Sequence, residues 1–154
     1  MKKKILIVVA DYYKNISSGL IKSAKKELLK NFVTKIIFVP GVFEIPVTIA
    51  KNVKKYDGFI ALGCVIKGET PHFDFISKTT FEGLIKLSID NKKPIGNGII
   101  TSLNLQQAIQ RSGKDEDVLE KNKDKGKGKE ATKAVISVLS QKWELHTVQK
   151  ITLE

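Results

Sequence analysis

Apolar residues along the chain fall into two patterns. Lys4–Ala10 (KILIVVA) and Phe59–Ile66 (FIALGCVI) are nearly unbroken apolar runs, as expected of parallel strands covered on both faces. Val33–Val39 and Pro94–Ile100 read as two further strands. Between them the spacing becomes helical. Ser17–Asn31 carries Leu20, Ile21, Ala24, Leu28 and Leu29 on one face, with Ser17 or Ser18 near its cap. Pro46–Lys54 starts a short helix, and Phe73–Asn91 a long one with Phe75, Ile76, Thr79, Leu84, Leu87 and Ser88 as its stripe. Asn104–Arg111 forms a short helix stopped by Ser112-Gly113. Glu130–Leu145 closes the pattern with Ala131, Val135, Val138, Leu139 and Trp143 on one face, ahead of a tail over His146–Glu154.

Four strands alternating with helices predict an α/β fold, a flavodoxin-like doubly wound four-stranded parallel sheet in three α/β/α layers with right-handed crossovers. Residues 1–154 are expected to form a single domain. Lys114–Lys129 has alternating charge and almost no apolar content, so a mobile loop is expected there. Its Gly126-Lys127-Gly128-Lys129 lacks the GxxxxGK[ST] spacing of a phosphate loop and follows no strand.

Composition narrows the function. The net charge is +11. All of the 27 basic residues but Arg111 are lysines, scattered over helix faces, so no nucleic-acid partner is expected. A lone guanidinium among lysines suggests bidentate recognition of an oxyanion. One cysteine, Cys64, excludes an internal disulfide and a cysteine-based metal cage, and no His, Asp or Glu cluster has metal-site spacing. No apolar run approaches a membrane span and Ile5–Ala10 is too short for a secretory signal, so a cytoplasmic protein without membrane, metal or cofactor is expected.

Candidate chemistry sits in three turns at the carboxyl ends of strands, where open α/β sheets bind ligands. In Ile60–Asp74 the strand leads through Lys67-Gly68-Glu69-Thr70-Pro71-His72 into a helix. There Thr70 can cap, Pro71 suits the first turn, and free amides make an anion pocket with His72 one turn inside as a general acid or base. A satisfied surface histidine is the plain alternative, and Cys64 reads as a small buried strand residue. After the first strand Tyr12 and Tyr13 reach the ligand edge, either to stack on a ring or to pack over the sheet. Pro40-Gly41-Val42-Phe43-Glu44-Ile45-Pro46 presents Phe43 and Glu44 from a rigid loop suited to a polyol or ring, although Phe43 could equally plug the core. Asn97 lies between Gly96 and Gly98, which would let a ligand approach the backbone. The absence of GxGxxG after the first strand argues against a dinucleotide site.

Over nearly the whole chain and in the same order, the strings VPGVFEIP, LGCVIKGETPHFD and IGNGIITSLNLQQAIQRSG resemble the lumazine synthase family. The resemblance implies condensation of 5-amino-6-(D-ribitylamino)uracil with 3,4-dihydroxy-2-butanone 4-phosphate, the penultimate step of riboflavin biosynthesis, without cofactor or metal. It aligns Tyr12 with the aromatic that stacks on the pyrimidine, and Val42, Phe43 and Glu44 with the ribityl-binding turn. Cys64, Val65 and Ile66 match the strand end lining the pyrimidine, and Asn97 a further ring contact. Glu69 and Thr70 match the phosphate-binding helix start, His72 the proton-transfer residue, Arg111 a phosphate arginine supplied by a neighbouring subunit, and Lys127 a substrate-contacting lysine. Asp11, Val42 and Asn97 depart from the residues common in relatives, which alters the pocket without removing its chemistry. The N-terminus is short, so the extra strand that some relatives lend to a neighbour is expected to be missing.

Implied partners are small-molecule substrates, further copies of the chain in a pentamer or decamer with shared sites, and riboflavin synthase. The charged segment Lys114–Lys125 is expected to obstruct the closed shells that many relatives build. Two rival readings remain at this level. A non-catalytic flavin- or lumazine-binding flavodoxin-like module would not need Arg111 and His72 together, and a basic RNA-binding protein would need lysines massed on one face.

Overall fold

A computed structural model describes residues 1–28, 31–113 and 126–141. The two unbroken apolar runs become the interior strands. β1 (Lys3–Ala10) is buried at six consecutive positions and β3 (Gly58–Ile66) at seven. β2 (Phe32–Val39) and β4 (Ile95–Ser102) flank them in the order β2-β1-β3-β4, and every pairing is parallel.

Side-chain alternation along the interior strands feeds two cores. Ile5, Ile7, Val9, Ile60, Leu62 and Cys64 face α1 (Lys14–Leu28), α4 (Leu105–Ser112) and α5 (Lys127–Leu139). Leu6, Val8, Ala10, Phe59 and Ala61 face α2 (Ile45–Asn52) and α3 (His72–Asn91). The chain is therefore the three-layer, four-stranded parallel α/β fold that the hydrophobic pattern predicts.

Several local expectations are corrected. α1 begins at Lys14, and Ser17 N–H already donates to Tyr13 O at 2.9 Å. Ser17 is thus a buried interior residue whose hydroxyl donates to the Ala10 and Tyr13 carbonyls, and caps nothing. On α3 the inward face is Ser77, Thr80 and Leu84, whereas Thr79 is exposed and Phe75 is 68% exposed. α5 starts at Lys127, so the end of the expected charged loop is helix. A Cβ on Gly128 would collide with the Leu20 carbonyl oxygen, so this glycine lets α5 approach α1, and Lys129 pairs with Glu27 across the same contact at 3.6 Å. Leu29, Trp143, the segment Lys114–Lys125 and the tail His146–Glu154 lie outside the described residues.

α4 follows the sequence signals closely. Asn104 caps it by accepting from Gln107 N–H at 2.9 Å, while the Gln107 side chain accepts from Leu103 N–H at 3.0 Å. Gly113 ends it at φ 76°, a left-handed conformation that glycine adopts at little cost.

Candidate active site

Three strand ends and the start of one helix close around a cleft of about 320 Å³ at the carboxyl edge of the sheet. Ala10, Tyr12 and Tyr13 come from β1 and its exit, and Gly41, Val42 and Phe43 from the turn after β2. Cys64, Val65 and Ile66 come from the end of β3, and His72 and Ile76 from the first turns of α3. The cleft thus joins Tyr12, Val42, Phe43, Cys64, Val65, Ile66 and His72, all singled out in the sequence.

Local folding explains how each is presented. The turn after β2 winds into a single 3₁₀ turn, Val42–Glu44, closed by Glu44 N–H donating to Gly41 O at 3.2 Å. Val42 is buried. A Cβ on Gly63 would meet Val42 Cγ1 at 2.8 Å and Ala10 Cβ at 3.0 Å, so Gly63 allows the turn to close onto β3. Phe43 is consequently turned outward and is 58% exposed, which excludes the core-plug alternative. Glu44 does not line the cleft; its Oε2 would lie 3.1 Å from a Cβ on Gly41, so the carboxylate sits beside the Gly41 edge of the lining.

Tyr12 is 74% exposed and meets half-buried Tyr13 edge to face, with ring centroids 4.9 Å apart. That T-shaped pairing orients Tyr12 without burying it. Burial, then the neighbouring Cys64 and Tyr12, raises the Tyr13 phenol above its ordinary pKa. The Cys64 thiol, lining the floor, is pushed up to about 11 by burial. At neutral pH it is a protonated, weakly nucleophilic wall residue.

The turn into α3 departs from expectation. Pro71 occupies the N-cap position with no side-chain cap, so Thr70 does not cap, and His72 is the first helical residue instead of standing one turn inside. Pro71 O accepts from Asp74 and Phe75 N–H, while the amides of His72 and Phe73 precede the first intrahelical bond. Glu69 and Thr70 are exposed on this turn beside the cleft and outside its lining. Lys67 N–H donates to Ser102 O at 2.9 Å, tying the turn to β4.

Arg111, Asn97 and Lys127 do not enter the cleft of their own chain. Arg111 Nη1 donates to the Thr101 carbonyl at 2.9 Å, and Lys127 Nζ lies 3.4 Å from Glu130. Asn97 is exposed on β4, accepts from Ile99 N–H at 3.1 Å, and lines a separate hollow of about 330 Å³ with Phe81, Leu84 and Ile85. Its flanking glycines serve packing instead of ligand approach. A Cβ on Gly96 would collide with the Ala131 carbonyl oxygen, and one on Gly98 would lie 2.9 Å from that of Ala61. Tyr13, left open between stacking and packing, also lines the cleft, and Ala10, Gly41 and Ile76 are the lining residues that the sequence had not placed in the site. The end of the first apolar run signals Ala10, and the one-turn spacing from His72 signals Ile76. Among the described residues, no group of three or more His, Cys, Asp or Glu could hold a metal ion.

A parallel α/β/α sheet with an aromatic-walled cleft at its carboxyl edge, a histidine at the mouth and no dinucleotide fingerprint defines a flavodoxin-like α/β protein with a small-molecule-sized cleft. More narrowly, the chain belongs to the 6,7-dimethyl-8-ribityllumazine synthase family, whose profile matches residues 2–142. A synthase of that name from Bartonella tribocorum is 40% identical over 148 residues, covering 92% of this chain and 93% of the relative. Another, from Agrobacterium fabrum, is 38% identical over 152 residues, covering 94% and 97%. One from Campylobacter jejuni is 35% identical over 148 residues, covering 92% and 91%.

Proposed function

We propose that the chain is a transferase, a 6,7-dimethyl-8-ribityllumazine synthase, condensing 5-amino-6-(D-ribitylamino)uracil with 3,4-dihydroxy-2-butanone 4-phosphate to release the lumazine, phosphate and water. The observation that carries this reading is the convergence of Tyr12, Phe43, Cys64, Val65, Ile66 and His72 on one cleft in a member of this family. Tyr12 offers an exposed ring for the pyrimidine, the Cys64–Ile66 strand end forms its apolar wall, and Val42, Phe43 and Glu44 receive the ribityl chain. Glu69, Thr70 and the first amides of α3 take the phosphate, where the helix dipole favours an anion.

The substrates already contain the amine, the ketone and the leaving phosphate. Holding them together turns a bimolecular condensation into an intramolecular one. Imine formation, loss of phosphate and ring closure then each require a proton to move. His72, exposed at the cleft mouth, is the lining residue placed to take up and hand on those protons as a general acid or base.

Arg111, Asn97 and Lys127 lie outside their own chain's cleft, which supports a site completed by a neighbouring copy. The reading is therefore a homo-oligomer, a pentamer or a pair of pentamers, with Arg111 of one copy reaching the phosphate held by the next. No described helix is long and apolar enough to cross a membrane, and the cytoplasm is the compartment this reading carries.

Mixing the protein with both substrates and following lumazine absorbance tests the reading. Product should form well above the uncatalysed rate and only with both substrates present. Tight lumazine binding without acceleration would favour the non-catalytic module instead.

A further inference from the structure

At the opposite end of the sheet from the cleft lies a groove of about 400 Å³ between the start of β1, the turn leading into β3 and the turn leading into β4. It is lined by Lys2, Lys3, Lys4, Lys54, Lys55 and Lys93. The sequence shows lysine scattered over helix faces; the parallel topology brings the start of β1 and two separate turns to this one edge and masses these six there.

Little in the groove neutralises them. Its one carboxylate, Asp57, accepts from Lys4 N–H at 2.7 Å, while Asp57 N–H donates to Lys4 O at 2.8 Å. That pair fixes the backbone of the basic N-terminal run to the rim. Lys93 Nζ donates to the Val53 carbonyl at 2.6 Å, at the C-terminal end of α2. Lys2, Lys3, Lys54 and Lys55 have no carboxylate within ion-pair distance among the described residues, and all four are exposed. Like charges gathered in a concavity raise its positive potential and repel one another, which a polyanion relieves.

We propose that this groove binds the phosphate backbone of single-stranded RNA without sequence preference. Several unpaired cations sharing one groove match a chain of phosphates better than one isolated anion, since each phosphate neutralised releases a condensed counterion. All the cations are lysines, which meet phosphate as point charges and lack the planar fork that reads base edges. The surface is concave, and besides exposed Met1 its apolar lining is the half-buried ring of Tyr56, too little to insert into a lipid bilayer. The groove is separate from the catalytic cleft, so this inference does not depend on the proposed reaction.

The test is fluorescence anisotropy of a labelled oligouridylate from about 50 to 200 mM salt, where binding through phosphates weakens steeply. The triple variant Lys3→Ala, Lys54→Ala, Lys55→Ala should weaken binding at least tenfold and flatten the log–log salt slope by about 2, at about 0.7 for each phosphate no longer neutralised. The control triple Lys25→Ala, Lys35→Ala, Lys51→Ala removes the same charge from exposed sites outside the groove and should bind as wild type. Both variants should form lumazine at the wild-type rate. No wild-type binding at the lowest salt would overturn the proposal, as would equal weakening in the two triples. So would a groove that takes anionic phosphatidylglycerol vesicles and no RNA.

Discussion

At the residue scale, the proposed chemistry rests on His72, the first residue of α3, which lines the mouth of the cleft. His72→Ala should lower turnover about 10²–10⁴-fold with substrate binding nearly intact, the usual contribution of a positioned acid–base group. Steady-state rates from pH 6 to 8 check this, and wild-type turnover in the variant would remove His72 from the mechanism. Cys64 gives a pH prediction. Burial raises its pKa from 9.0 to about 11, so the folded protein retains a proton that the unfolded chain gives up. Its contribution is fully present below pH 9 and is lost as pH rises towards about 11, because the unfolded state binds fewer protons in that window. Urea midpoints should fall across that interval more for the wild type than for Cys64→Ala; equal slopes would show that burial does not perturb the thiol. The residue types around the cleft were legible in the chain because turns at strand ends announce themselves through Gly and Pro. How each side chain is held was not: Pro71 takes the N-cap position and so brings His72 to the very start of its helix.

At the element scale, periodicity exposed the strands because β1 and β3 are covered on both faces, and it located α4 because Asn104 and Gly113 mark its ends. It found α3 but misassigned part of its inward face, and it placed the start of α5 too late, for a common reason. The inward face of α3 includes the hydroxyls of Ser77 and Thr80, and α5 opens on Gly126 and Gly128, so neither shows the apolar signal that pattern reading relies on. The glycines of the charged segment looked like loop punctuation because the carbonyl of Leu20, which requires Gly128 to lack a side chain, belongs to a distant part of the chain. Gly128→Ala should cost roughly 1–3 kcal/mol by overpacking this helix contact, read from the urea midpoint. Gly68→Ala is the contrasting case. No heavy atom lies within 4 Å of its Cβ position, and the change should be close to neutral. Equal destabilisation of the two variants would contradict the packing account.

At the scale of the whole molecule, strand–helix alternation alone predicts both the α/β architecture and the edge of the sheet where ligands bind. What one chain's pattern could not supply is how distant turns meet. Asn97, Arg111 and Lys127, which the family resemblance expects in the site, lie outside their own cleft. Phe75, Ile85 and Ile89 of α3 are also exposed, an apolar surface that an assembled protein would cover. Sedimentation at micromolar concentration should therefore show pentamers or paired pentamers; a stable, active monomer would contradict the shared site, and a megadalton particle would contradict the expectation that the charged segment 114–125 obstructs shells. The central claim, that lumazine forms in the cleft between Tyr12, Phe43, Cys64 and His72, is tested most directly by a crystal structure of the protein with 6,7-dimethyl-8-ribityllumazine. The account predicts the ring against Tyr12 and the strand end Cys64–Ile66, with the ribityl chain running toward Val42–Glu44. Lumazine bound elsewhere, with the Tyr12 cleft empty, would contradict it.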